Sequence, residues 1–337
     1  LKDGGLAGSV LPSSILSNTG IYTKTREILF KYFEIIGITE LGSGTFMATG
    51  TNTVILFLRK RNNYDWENIK SSVEKFFQNT NDVTVNGIEN IFSKYVKYVW
   101  GGIKFEDYVG LCKNTINKNI ENHEIYKEYE KKLKVKDKID LQNAIIERER
   151  EKLLYFILAY NQKVVLTKSG QKKEEKKFLG YEFSNRRGYE GIHPIQRGKF
   201  IDECTKMYDS ENQEDETKAN SYVYKAFLGN KNQKIHPSLE KNIFEVSLID
   251  LMTFDRVDFD KNISLTVKNI EVDSRWEMVK LGDIVIDLQS GKRPEGGVGN
   301  YDSGVPSLGG EHIGLNGKII IDNIKYVPES YFNQSKQ

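Results

Sequence analysis

Two adjacent arginines, Arg186 and Arg187, stand in a run of aromatics and glycines: Phe178-Leu179-Gly180-Tyr181-Glu182-Phe183-Ser184-Asn185-Arg186-Arg187-Gly188-Tyr189-Glu190-Gly191-Ile192-His193-Pro194. Glycines beside arginines let a backbone approach a ligand closely, while guanidinium forks reach phosphate or carboxylate. Contact with a nucleic-acid backbone or docking onto another domain is one reading. A turn whose arginines pair with nearby glutamates is the other. Farther on, Lys292 and Arg293 sit between Gly291 and Pro294, a turn suited to phosphate contacts that add affinity and salt dependence without sequence choice. Ser307, Glu311 and His312 follow in a glycine-rich stretch. Ser bonds several bases and Glu accepts from cytosine, so these side chains suit base edges; each equally suits orienting a loop. Glu174-x-Lys176 has half of a metal-dependent nuclease pattern, but no second carboxylate is clearly placed to share a Mg²⁺ ion, so we do not retain it.

The elements that must hold these groups begin with a Gly-led apolar strand from Gly4 to Pro12. An amphipathic helix over 22–33 and a strand over 35–41 follow. Next come a glycine turn, Gly42-Ser43-Gly44-Thr45-Phe46, and an apolar strand that closes at Arg59-Lys60. Strand, helix, strand, strand is the order of an open α/β sheet. Residues 65–159 read as helical, with Phe76, Phe77, Ile91, Phe92, Tyr95, Val96 and Val99 at helical spacing and facing inward. Residues 126–138 read as one charge-dense helix whose five lysines form a solvated face. A strand is expected over 163–167, a loop over 209–220, a strand or helix edge over 243–254 and a solvated connector over 255–272.

The order of the first sixty residues resembles the later half of the catalytic domain in adenine-N6 DNA methyltransferases of the type I restriction-modification kind. The matching residues are Gly4-Gly5, Ala7 and Leu11-Pro12 on the first strand, and Arg26 and Leu29 on the helix. Phe46, Thr49-Gly50, Thr51, Thr53, Leu56 and Leu58 match in the closing hairpin. A second resemblance covers 276–332: Trp276, Val279, Leu281-Gly282-Asp283-Ile284, Ser290-Gly291, Pro294, Gly304 and Pro306 are similar to the opening of a target-recognition domain from type I specificity subunits. The Phe178–Pro194 stretch also resembles one in fused modification proteins of this family.

The resemblance implies a fold and a chemistry. The fold would be α/β: the carboxyl-terminal part of a Rossmann-like methyltransferase sheet, a helical middle region, and the start of an α/β target-recognition domain. Expected boundaries are 1–62, 63–160, 161–272 and 273–337. The chemistry would be methyl transfer from S-adenosylmethionine to adenine N6 in double-stranded DNA, with the target base flipped from the stack. Phe46 matches the aromatic that sandwiches the base, with Gly44, Thr49 and Gly50 shaping that wall. A buried hairpin Phe is the alternative. Restriction or partner methyltransferase subunits are further expected partners.

The family's Gly-rich cofactor turn and Asn-Pro-Pro loop are not found in the 337 residues, and the chain has only 6 prolines. The chain is therefore expected to be a piece of a longer protein, inactive by itself and a poor binder of S-adenosylmethionine. The competing reading is a non-catalytic DNA-binding or assembly module serving a separate methyltransferase subunit.

Composition limits the alternatives. Lys plus Arg number 49 against 47 for Asp plus Glu, so any nucleic-acid surface must come from local clustering. The 2 cysteines make no disulfide framework and suit a cytoplasmic protein, and the 4 histidines have no metal-ligand spacing. No apolar run approaches the ~18 residues of a membrane span.

Overall fold

A computed structural model describes residues 1–46, 50–266, 279, 285–286, 301, 303–312 and 318–334. The chain divides into two units, Leu1–Ile270 and Glu271–Gln337.

The first unit is built on β1 (Leu6–Pro12), β2 (Phe33–Leu41), β3 (Thr53–Lys60), β4 (Lys163–Lys168) and β7 (Ile243–Ser247), in the order β1-β3-β2-β4-β7. β3 lies antiparallel between β1 and β2, β4 is parallel to β2, and β7 is antiparallel to β4. It follows that β1, β2 and β4 run the same way and end at one edge of the sheet. The α1 helix (Ile21–Tyr32) crosses from β1 to β2. β2 starts directly after it, with Ile36 as a bulged extra residue between Ile35 and Gly37. The mixed sheet agrees with the expected α/β class.

Helices α2 (Asn63–Asn79), α3 (Ile91–Val99), α4 (Phe105–Cys112), α5 (Lys118–Asn122), α6 (Glu124–Leu133) and α7 (Lys138–Tyr160) share one core with one sheet face. Phe76, Ile91, Phe92, Tyr95, Val96 and Val99 are buried in it, as their spacing predicts, and Phe77 is partly buried against it. The charged stretch 126–138 is two helices rather than one. Lys134 takes a left-handed φ of 53°, and the Asp137 carboxylate caps α7 by accepting from Ile139 and Asp140 N–H at 2.8 and 3.0 Å. Its five lysines are exposed, and Lys132 pairs with Glu128 and Asp258 at 3.2 and 3.4 Å.

The other sheet face is covered by α10 (Ala219–Phe227), whose Tyr222 and Val223 pack with Val165, Phe178, Leu239 and Ile243. β4 and β7 both come from the stretch 161–272 that the sequence suggests is a connector. That stretch completes the sheet begun by residues 6–60, because Val164, Val165 and Leu166 are buried only with neighbours on both sides. The expected boundaries at 62 and 160 therefore fall inside a unit with a common sheet and core.

Buried charges lock these layers. The Glu149 carboxylate, inside α7, accepts from Tyr95 Oη, Trp100 Nε1 and Tyr108 Oη at 2.8, 2.9 and 3.1 Å, and from Tyr129 Oη at 2.6 Å. Buried Lys152 lies 3.3 Å away. One anion thus ties α3, α4, α6 and α7 together. Arg26 on α1 is fully buried. Its guanidinium donates to the Ile15 carbonyl at 2.8 Å, the Asn18 carbonyl at 2.9 Å, the Asp260 carbonyl at 2.7 Å and Asn262 Oδ1 at 2.7 Å.

Residues 255–263 of the expected solvated connector, with Met252 and Phe254 before them, are consequently a strap across α1 and α7. Met252, Phe254, Val257, Phe259 and Ile263 are buried, and Ile263 N–H donates to the Leu16 carbonyl at 2.9 Å. Lys261 is buried there too, paired with Glu27 at 2.8 Å and with Glu151. Intervening Asp residues hide the alternation in the sequence.

In the second unit, β8 (Val305–Ser307) pairs antiparallel with β9 (Lys325–Val327), and a closing helix spans Glu329–Gln334.

Two outcomes are expected. Arg26→Ala leaves several buried carbonyls without donors and lowers unfolding free energy by about 3 kcal/mol or more in a denaturant titration, with Arg26→Lys restoring only part. Burial, then the neighbouring Glu149, pushes the Tyr95, Tyr108 and Tyr129 hydroxyls above their ordinary pKa. The folded state therefore keeps protons that the unfolded chain releases near pH ~10, and stability present below that pH is lost as pH rises beyond it. Phenolate absorbance from these three should appear together with unfolding, not before it.

Candidate functional site

Ligands of open α/β sheets bind beyond the carboxyl ends of parallel strands. Here that edge is formed by the ends of β1, β2 and β4. After β1, Pro12 leads into a 3-10 turn, Ser13–Leu16, fixed by Ser13 N–H to the Asn52 carbonyl at 3.0 Å and by the Arg26 bonds to Ile15 and Asn18. After β4, Ser169 N–H donates to the Glu40 carbonyl at 3.0 Å, and Ser169 Oγ accepts from Gly42 N–H at 3.1 Å.

Between them lies the glycine turn. Its N–H and O–H groups converge on Glu175, from α8 (Lys173–Leu179): Gly44 N–H reaches Oε2 at 3.3 Å and Thr45 Oγ1 reaches Oε1 at 2.7 Å. A Cβ on Gly42 would stand 2.5 Å from that carboxylate, and one on Gly44 would stand 3.1 Å from it. The two glycines thus leave room for the close approach of the Glu175 carboxylate. Tyr181 Oη donates to the Thr45 carbonyl at 3.2 Å. Burial, then Glu175, raises the Tyr181 pKa and keeps the phenol protonated as a donor.

Phe46, the next residue, is 45% exposed. It belongs to neither core cluster, so the alternative of a buried hairpin phenylalanine does not describe it. Gly50, exposed, takes a positive φ of 58°. Thr49, with Met47 and Ala48, lies outside the described residues. The sequence therefore places Gly44, Phe46 and Gly50 on one loop at the strand ends. Glu175, Ser169 and Tyr181 escaped the sequence reading: Glu175 is embedded in Lys172-Lys173-Glu174-Glu175-Lys176-Lys177, where nothing distinguishes it from its solvated neighbours.

From α8 the chain turns at Gly180 into a hairpin of β5 (Tyr181–Arg186) and β6 (Tyr189–Pro194). Gly180 has φ 80° with the Thr205 backbone against it, so no side chain fits. Arg187-Gly188 makes the tip, Gly188 at φ 78°. Arg186 and Arg187 are exposed there, and neither has an ion-pair partner among the described residues. The Glu182 carboxylate pairs with Lys176 instead, at 2.9 Å. The Tyr189 and His193 rings stack on the same strand, 3.7 Å apart and within 6° of parallel. A tip with two unpaired guanidinium groups and a planar stack behind it has the chemistry of a nucleic-acid contact.

In the second unit, Ser307 pairs across to Lys325. Glu311 and His312 form part of a 3-10 turn, Gly310–His312. His312 is buried, its Nδ1 accepts from Gly309 N–H at 3.0 Å, and its carbonyl accepts from Ile320 N–H at 2.8 Å. Its geometry serves loop orientation. Lys292 and Arg293 lie outside the described residues. Among the described residues no three His, Cys, Asp or Glu side chains come together as a metal site, and no helix is long and apolar enough to cross a membrane.

Residues 1–140 match the family model described as N-6 DNA Methylase. The match runs from before β1 into α7 and supports an adenine-N6 methyltransferase family for this part of the chain. No curated protein matches the chain.

For the hairpin, Arg186→Ala combined with Arg187→Ala is expected to reduce the slope of log affinity for duplex DNA against log salt by roughly 2, as for the loss of two phosphate contacts. An unaltered slope in a folded variant assigns the pair to protein docking.

Proposed function

We propose that residues 1–270 form the later part of the catalytic domain of a DNA adenine-N6 methyltransferase, and that the second unit opens the target-recognition domain of the same restriction-modification enzyme. The observation that carries the reading is the exposed Phe46 on its glycine turn at the carboxyl edge of the sheet, inside the stretch that the N-6 DNA Methylase model covers. In this reading the target adenine leaves the duplex and lies against the Phe46 ring. Stacking recovers part of the cost of flipping. Gly44 and Gly50 keep the wall free of side chains, Thr49 is assigned to the same wall by the resemblance, and Arg186 and Arg187 hold DNA phosphates. Lys292, Arg293, Ser307 and Glu311 contribute to recognition in the second unit, where His312 shapes the loop.

The family's chemistry uses S-adenosylmethionine. The glycine turn at the strand ends does not fit it: the Glu175 carboxylate takes the Gly44 N–H at 3.3 Å and lies 2.5 Å from where a Cβ on Gly42 would stand. The turn is filled from within by an anion, so the cofactor must be held by residues other than these. The β1 strand offers the place for them. Among the described residues it pairs with β3 on one side only, and Leu6 and Val10 along it are exposed, as are Ile21 and Ile28 on α1. Further strands carrying the cofactor turn and the Asn-Pro-Pro loop would add to that edge, on the same polypeptide or from a partner subunit.

Full-length protein, S-adenosylmethionine with a labelled methyl group and DNA carrying 2-aminopurine at the target position test the reading. Label is expected at adenine N6. Phe46→Ala should lower both the fluorescence rise and turnover about 10- to 100-fold, the range of one lost base–aromatic stack. Absence of transfer by the intact protein would overturn the function. Transfer with Phe46→Ala unchanged would remove the ring from the base wall.

A further inference from the structure

The glycine turn that carries Phe46 has a single anion at its centre. Glu175 is 3% exposed, and no cation pairs with it among the described residues. An ionised carboxylate in that position is costly unless donors are fixed on it. Two are: Gly44 N–H at 3.3 Å and Thr45 Oγ1 at 2.7 Å. The carboxylate lies in the space that the absent Cβ atoms of Gly42 and Gly44 leave, 2.5 and 3.1 Å from where those atoms would stand.

Two further bonds brace the same turn. Ser169 Oγ accepts from Gly42 N–H and Tyr181 Oη donates to the Thr45 carbonyl, at 3.1 and 3.2 Å. Thr45 is buried beside Glu175 whereas Phe46, one residue on, is exposed. The direction in which Phe46 leaves the sheet is therefore set by how Thr45 is held.

We propose that Glu175 is the positioning residue of the base wall: by gripping Gly44 and Thr45 it holds the Phe46 ring in the orientation that receives the flipped adenine. This rests on the function proposed above. Glu175 touches neither base nor cofactor in this role; it acts through the turn. Its neighbours in sequence do other work, Lys176 pairing with Glu182 across the root of the hairpin.

The test compares Glu175→Gln, Thr45→Val and Thr45→Ser in the full-length protein, with DNA binding, 2-aminopurine fluorescence and steady-state kinetics measured on each. Circular dichroism confirms folding. Glu175→Gln and Thr45→Val are expected to leave the dissociation constant for DNA within about twofold while lowering kcat and the fluorescence rise about tenfold, the scale of one charge-assisted hydrogen bond. Thr45→Ser, which keeps the hydroxyl, should stay near the parent protein. A merely structural role predicts loss of melting temperature with kcat per folded molecule unchanged, and that result overturns the proposal. So does equal loss in Thr45→Ser and Thr45→Val. Should Glu175→Gln fail to fold, the Thr45 pair alone decides. If the parent protein flips and methylates but the variants do likewise, only the role of Glu175 falls; if the parent does neither, the base-wall function falls and the role with it.

Discussion

The placement of β3 is the constraint from which the rest follows. Its eight residues pair with β1 on one side and β2 on the other, both antiparallel. Every backbone donor and acceptor in its interior finds a partner, so one face of the strand, Val54, Leu56 and Leu58, can be buried without polar cost. Because β3 runs against both neighbours, β1 and β2 must run together, and the loops that leave them reach the same edge. The Phe46 turn is the return that β3 demands from β2. Moving β3 to the outside of the sheet would carry the turn away from Ser13, Ser169 and Glu175 alike.

Charges buried around this frame each obtain a nearly complete set of partners. Glu149 takes four aromatic donors and Lys261 takes two glutamates, while Arg26 takes backbone carbonyls from two segments. Such groups add little net stability over an apolar core of the same shape, yet they tolerate few alternative packings. We read them as the means by which short helices, several under ten residues, keep one arrangement.

Much of the frame was legible because period two and period 3.6 survive in the sequence. β1 to β4 and the inward face of α3 were found within a few residues of their true ends, and the glycine turn with its exposed Phe was located. What escaped shares one cause. Glu149, Glu175 and Lys261 lie in charge-dense runs, where a buried ion has the same letter as a solvated one. Which one is buried depends on partners 3 to 234 positions away in the chain. Strand order is equally non-local: nothing in residues 161–168 announces that they pair with residues 37–40. Arg186 and Arg187 were visible as a pair, but their lack of a glutamate partner among the described residues was not.

Among the described residues β1 pairs on one side only, and that edge has a colloidal consequence. Edge strands usually defend themselves with lysine, proline or a bulge. From Leu6 through Leu11 this one has none of these, only Gly, Ser and apolar residues, with Pro12 at its far end. An uncovered edge of this kind is a template for any extended segment, including another copy of itself. With that edge open, the chain should be prone to self-association as its concentration rises. Its solubility then becomes a reporter of whether that edge is covered.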